Sequence, residues 1–190
     1  MTEEKKNKLL LVVDMQNDFL TDALENDNAK NIRDDLVKEV REKIEEGYEI
    51  FFTKDTHNED YLNTMEGKNL PIKHCIKGTK GWELIDELNE IVEKNSLQNH
   101  IIEKETFGDK DLSKKLEKVL QSEGKSLGDI DSIRLIGVCT SICVLSNALI
   151  LKAFTPEIEI EVDEDLCACL TKESHNAAIK AMETAQVKIV

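Results

Sequence analysis

Leu9-Leu10-Leu11-Val12-Val13-Asp14 is the stretch that decides the fold. Five consecutive apolar residues with no polar alternation read as a short strand covered on both faces, as in a parallel sheet packed between helices. The run then ends on a carboxylate, an expensive neighbour for an apolar strand unless it is paired or used.

Working outward, similar short and mostly β-branched runs occur at residues 50–53, 100–102, 133–137, 158–162 and 187–190. Between them lie helix-period stripes: Ile32, Leu36, Val40 and Ile44; Trp82, Ile85, Leu88, Ile91 and Val92; Leu112, Leu116, Val119 and Leu120. Residues 142–154 are apolar nearly all round and predict a buried helix. Thr171 predicts the N-cap of a last helix with Ala177, Ala178, Ala181, Met182 and Ala185 on its inner face. The alternation predicts an α/β fold: a three-layer α/β/α, doubly wound, Rossmann-like arrangement with a mostly parallel six-stranded sheet, in one domain over residues 1–190. The long irregular stretch 56–81 reads as a functional loop.

Composition narrows the function classes. With 25 basic and 39 acidic residues among 190, a net charge of −14 argues against a nucleic-acid partner. No apolar run approaches the ~20 residues of a membrane span. Residues 1–8 are charged and polar with no apolar h-region, so the expectation is a cytoplasmic protein without a secretory signal. The five cysteines, at 75, 139, 143, 167 and 169, include no C-x-x-C pair. Their odd number points to a reducing compartment, with most of them acting as small buried hydrophobes.

In an open α/β sheet ligands bind beyond the carboxyl ends of the strands. Those ends carry Asp14, then Asp55 and His57, then Lys104, then Cys139 to Cys143. Cys143 falls at a helix start, where the dipole and free amides would lower its pKa, and its N–H with that of Cys139 could form an oxyanion hole. It reads equally as a packed structural cysteine. Asp14 could shuttle the thiol proton or serve a turn, and Lys104 could hold Asp14 ionised or be an exposed strand-end lysine. Asp55 and His57, two apart in an extended chain, point the same way. With His74 they make three metal-type ligands, with Glu59, Asp60 or Glu66 as a fourth, in a set suited to Zn, Mn or Fe. The other reading is a polar loop with two unconnected histidines. His100 and His175 have no ligand-like neighbours in the sequence.

Val13-Asp14-Met15-Gln16-Asn17-Asp18-Phe19, Thr53-Lys54-Asp55-Thr56-His57, His74-Cys75-Ile76-Lys77-Gly78-Thr79, Lys104 and Gly137-Val138-Cys139-Thr140-Ser141-Ile142-Cys143-Val144 together resemble the isochorismatase-like cysteine hydrolases, most of all the nicotinamidase branch. The similarity runs in order over nearly the whole chain. It implies Cys143 as nucleophile, Asp14 as general base and acid, and Lys104 as the third member of the triad. It also implies a non-proline cis peptide at Val138–Cys139, turning the Cys139 N–H toward the oxyanion beside that of Cys143. Asp55, His57 and His74, with Glu66 as fourth ligand, match a divalent metal site, zinc ahead of Mn or Fe, that receives a pyridine nitrogen. Phe19 and Phe107 fall where the family sets aromatic groups around the substrate, and members often form homo-oligomers.

Three positions depart from the pattern: Ser141 stands where the family often has Asp, Asn63 replaces a familiar metal His, and Leu70-Pro71-Ile72-Lys73 offers no ring. Isochorismatase proper lacks the cysteine, so Cys143 argues against that activity. The resemblance implies hydrolysis of a small carboxamide, foremost nicotinamide to nicotinate and ammonia. The rivals are an amidase of carbamoyl or ureido compounds and a silent small-molecule-binding relative. A thiol-sensing role, drawn from Cys139 beside Cys143 and from Cys167 with Cys169, is a weaker third.

Overall fold

The six apolar runs pair side by side in one sheet. In the computed structural model, which describes residues 7–190, the strands are β1 (Lys8–Val13), β2 (Glu49–Asp55), β3 (Ile101–Lys104), β4 (Ser132–Val138), β5 (Glu159–Ala168) and β6 (Lys188–Ile189). Most of the charged N-terminal stretch, residues 1–6, lies outside the described residues. The strand order is β3-β2-β1-β4-β5-β6 and every pair is parallel. Residues 9–13 are wholly buried, with Leu9, Leu11 and Val13 in one apolar layer and Leu10 and Val12 in the other, as an unalternating run requires.

Among the described residues seven helices complete the layers: α1 (Asn17–Leu20), α2 (Asp27–Glu46), α3 (Met65–Asn69), α4 (Asp86–Lys94), α5 (Leu112–Ser122), α6 (Leu145–Phe154) and α7 (Lys172–Thr184). α2 and α4 cover the Leu10 face, and α5, α6 and α7 cover the Leu9 face. The chain winds from β1 out to β3, then returns to β4 on the other side. The switch point therefore lies between β1 and β4, where a crevice opens beyond the carboxyl ends. Gly137 lets the two strands meet there: its φ is 120°, and a Cβ would come within 2.2 Å of the Val13 carbonyl oxygen.

Several local expectations are corrected. Trp82 is not on α4, which begins at Asp86. Its indole instead donates to Thr56 Oγ1 at 2.9 Å, and Lys54 Nζ sits 3.0 Å from its ring centre. Thr171 does cap α7, accepting from the Ser174 N–H, but the inner face is Ala178, Ile179 and Met182, with Ala177 and Ala181 exposed. Turning the helix this way buries the isoleucine, which removes more apolar area from water than an alanine. α6 is not buried all round: Asn147, Ala148 and Leu151 face inward, while Leu149 and Phe154 face out. Stretch 56–81 is less irregular than expected, holding a 3₁₀ turn at Tyr61–Asn63 and then α3. His100 precedes β3 rather than joining it. It stacks on Phe51 at 4.4 Å and bonds the Ile50 carbonyl and Glu123, an ordinary core histidine. Among the described residues no helix is long and apolar enough to cross a membrane.

Candidate active site

β1 ends on Asp14, whose backbone turns into the left-handed region at φ 49° and carries the carboxylate into the crevice. Asp14 is wholly buried. Its Oδ1 accepts from Thr53 Oγ1 at 2.6 Å, and its Oδ2 lies 2.7 Å from Lys104 Nζ. The Asp14 carboxylate also meets the Cys143 thiol, so a proton can pass between the two. Lys104, from β3, is not the exposed strand-end lysine its position allowed. It is 2 % exposed, and Nζ reaches Asp55 Oδ1 at 3.1 Å and Cys143 Sγ at 3.6 Å.

Cys143 lies in a turn of π-helix, Thr140–Val144, that leads into α6. Such turns often mark functional positions because they swing one side chain out of helical register. The thiol is buried yet lines the main cavity. The Val138–Cys139 peptide before the turn is cis, as the resemblance implies. Cys139 lines the same cavity.

The expected lowering of the Cys143 pKa is corrected. Burial first, then the carboxylate of Asp14, push the thiol well above its ordinary range, and the nearby ammonium of Lys104 only partly opposes them. Burial also raises Asp14 against the pull of Lys104. For Lys104 burial works downward, but Asp14, Cys143 and Asp55 together hold the ammonium well above its usual range.

Next to this knot the second cluster assembles. Asp55 Oδ2 is 3.0 Å from His57 Nε2 and 3.5 Å from His74 Nε2, and Glu66 Oε1 is 3.5 and 3.8 Å from the same nitrogens. One ligand atom from each of the four residues lies within 4.8 Å of the others. His74 donates Nδ1–H to the Ile72 carbonyl at 2.9 Å, which leaves the Nε2 lone pair facing the cluster. Glu66 Oε1 is buried with no hydrogen-bond donor. Burial would lower His57, yet Asp55 and Glu66 outweigh it and hold the imidazole up to about 9, the mark of a carboxylate-rich pocket that favours a cation. Two imidazoles and two carboxylates fit a divalent ion. Glu59 and Asp60 are not part of the group.

A cavity of about 530 Å³ joins the two clusters; Phe19, Leu70, Phe107 and Ile142 are among its apolar walls. The Phe19 ring centre is 5.9 Å from that of His74, and Phe107 stands half-exposed at the mouth. Every predicted site residue reaches this cavity or touches one that does.

Residues the sequence did not single out hold the clusters in place. Gln16 clamps Asp55 from both sides, its Oε1 accepting from the Asp55 N–H at 2.7 Å and its Nε2 donating to the Asp55 carbonyl at 2.8 Å. Asp18 accepts from the Cys75 N–H at 2.6 Å, fixing the residue after His74. Tyr61 packs against both histidine rings, at 4.6 and 5.0 Å. The signal for Gln16 and Asp18 was a polar run directly after an apolar strand; Tyr61 left none. The cysteine pairings also differ from expectation. Ser141 Oγ lies 2.9 Å from Cys169 Sγ, and the neighbouring Cys139 and Ser141 side chains hold the free Cys169 thiol down to about 4, whereas Cys167 faces the core beneath the Leu135 carbonyl.

The model of the isochorismatase domain family matches residues 8–190. An isochorismatase family protein, PncA of Bacillus subtilis, is 27 % identical over 180 residues, covering 90 % of this chain and 92 % of its own. The solved pyrazinamidase/nicotinamidase of Streptococcus mutans superposes with a TM-score of 0.79 at 27 % identity, over 97 % of this chain and 100 % of that one. A pyrazinamidase of Pyrococcus horikoshii in complex with zinc superposes with a TM-score of 0.73 at 26 % identity, over 97 % and 98 % of the two chains.

Proposed function

Because the chain belongs to the isochorismatase domain family, we propose that it is a cysteine amidohydrolase that converts a small carboxamide, foremost nicotinamide, to the acid and ammonia. The observation that carries this reading is the buried contact of Lys104 Nζ with both Asp14 and Cys143 at the base of one cavity. The nicotinamidase and pyrazinamidase neighbours support the substrate class.

Each step follows from groups already described. A planar amide enters between Phe19 and Phe107 with its carbonyl over the thiol. Asp14 Oδ2 takes the Cys143 proton, and the sulfur attacks the carbonyl carbon. The Cys139 and Cys143 N–H groups stabilise the oxyanion. Asp14 passes its proton to the departing nitrogen, ammonia leaves, and a thioester remains. Water, deprotonated by the same carboxylate, attacks the thioester and releases the acid and the thiol. Throughout, Lys104 keeps its charge and limits the cost of ionising two acids in a dry site.

Asp55, His57, Glu66 and His74 would hold a divalent ion, zinc ahead of Mn or Fe. Bound there, the ion would supply a Lewis-acid contact for a pyridine nitrogen. This reading assigns the chain to NAD salvage and, with five free thiols, to the reducing cytoplasm. The outward Leu149 and Phe154 of α6 favour association between copies.

The substrate class is tested by ammonia release from nicotinamide, pyrazinamide and an N-carbamoyl amino acid side by side. The expected order is the two aromatic amides well ahead; turnover of the carbamoyl compound alone would move the chain to the ureido amidases. The metal is tested separately. Purified protein is expected to carry one divalent ion per chain by native mass spectrometry, with none in the paired His57→Ala, His74→Ala variant. Chelation is expected to lower the unfolding temperature, since an ion bound only by the folded state stabilises it. Metal-free wild type that takes up no added zinc would refute the assignment.

A further inference from the structure

Asn147 sits one turn beyond Cys143, on the inner face of α6, and is wholly buried. Its Nδ2 donates to the Cys143 carbonyl at 2.8 Å and to the Phe107 carbonyl at 3.3 Å, while its Oδ1 accepts from the Asp109 N–H at 3.0 Å. One amide thus joins the nucleophile turn to a loop 40 residues away in sequence, the loop that carries Phe107 to the cavity mouth.

The same seam is fitted from the loop side. A Cβ on Gly108 would lie 2.8 Å from Ser146 Cβ and 2.6 Å from Ile150 Cδ1, so the loop lies flush on α6 only because position 108 is bare. Beyond it the Asp109 carboxylate accepts from Lys115 of α5 and from the Asp111 N–H. The loop is therefore pinned to α5 at one side and to the nucleophile turn at the other. Burying an amide is costly unless its bonds are made, and here both donor bonds and the acceptor bond go to the nucleophile turn and the Phe107 loop. None of them serves the sheet.

From this joint we propose that Asn147 is a positioning residue that locks the Phe107 wall to Cys143, so that a substrate gripped under Phe107 meets the sulfur in attacking geometry. The proposal rests on Cys143 as the nucleophile and adds what sets its register with the substrate wall. A misplacement of about 1 Å at such a contact can cost on the order of 10²-fold in rate.

The test uses the full chain and two readouts: ammonia release, and alkylation of Cys143 by iodoacetamide, itself a small carboxamide, followed by peptide mass spectrometry. Asn147→Ala is expected to raise KM about tenfold or more and to slow Cys143 alkylation by a similar factor, with kcat falling less. Gly108→Ala lifts the same loop without touching Asn147 and is expected to shift both readouts in the same direction, which covers the case in which Asn147→Ala fails to fold. Combined with Phe107→Ala, either change is expected to add little, because the wall it positions has gone. Full additivity with Phe107→Ala, or a lowered unfolding temperature with unchanged KM and alkylation rate in the folded fraction, would overturn the proposal. If the wild type releases no ammonia from any amide the proposed function fails, while the alkylation rates still decide the role of Asn147.

Discussion

Lys104→Met is expected to cripple turnover and weaken the fold together. The ammonium lies within 3.1 Å of two buried carboxylates, Asp14 and Asp55, and 3.6 Å from the thiol. Methionine matches the stem but leaves both acids facing each other without a counter-charge. Removing one partner from a buried ion pair typically costs about 3–5 kcal/mol, which urea unfolding would register as a lower midpoint with unchanged slope. The deficit should shrink as pH falls. Without Lys104 the pKa of Asp14 rises further and Asp55 loses the charge that helps hold it down, so the variant's penalty is present at neutral pH and lessens once the carboxyls protonate. Activity should fall by about 10³-fold, the scale of losing a preorganised charge at a reacting centre. A stable Lys104→Met variant with turnover intact would contradict the charge arrangement described here.

Asp14→Asn is expected to separate two properties that a damaged fold would lose together. Turnover should drop by about 10³- to 10⁴-fold, because the proposed mechanism uses this one group as both base and acid. The thiol, however, should become easier to ionise. After burial, the charge of Asp14 is the main influence holding the Cys143 thiol up, and with it gone the ammonium at 3.6 Å acts unopposed by that neighbour. Cys143 alkylation at neutral pH should therefore match or exceed that of the wild type. The pH profile carries the same sign. Asp14 must be ionised to accept the proton, and burial raises its pKa from 3.8, so the acid limb of kcat/KM lies above the ordinary carboxylate range and is absent from the variant. Parallel loss of alkylation and turnover would reduce Asp14 to a structural role.

The sheet was legible because its strands need so little context. Leu9 to Val13 can be buried on both faces only between two helical layers, and a carboxylate directly after it had to be paired or used. Asp55 with His57 was legible for the same reason, since strand geometry alone aims both side chains one way. What could not be read depended on partners brought from elsewhere in the chain. Gln16 clamps Asp55 across adjacent strands, and Asn147 bridges two loops. Neither bond has a sequence period. The direction of the Cys143 shift was misjudged because a helix start predicts stabilised thiolate, whereas depth and the neighbouring Asp14 decide the matter. The inner face of α7 keeps the expected Ala178 and Met182, but packing selects Ile179 over Ala177 and Ala181.

The central claim is that Cys143 attacks an amide carbonyl. Its most direct test is ammonia release from nicotinamide by wild type and by Cys143→Ala, with unfolding temperatures measured on both. Turnover of at least about 1 s⁻¹ is expected for the wild type and none above background for a variant that unfolds at the same temperature. Equal turnover by the two proteins would contradict the claim.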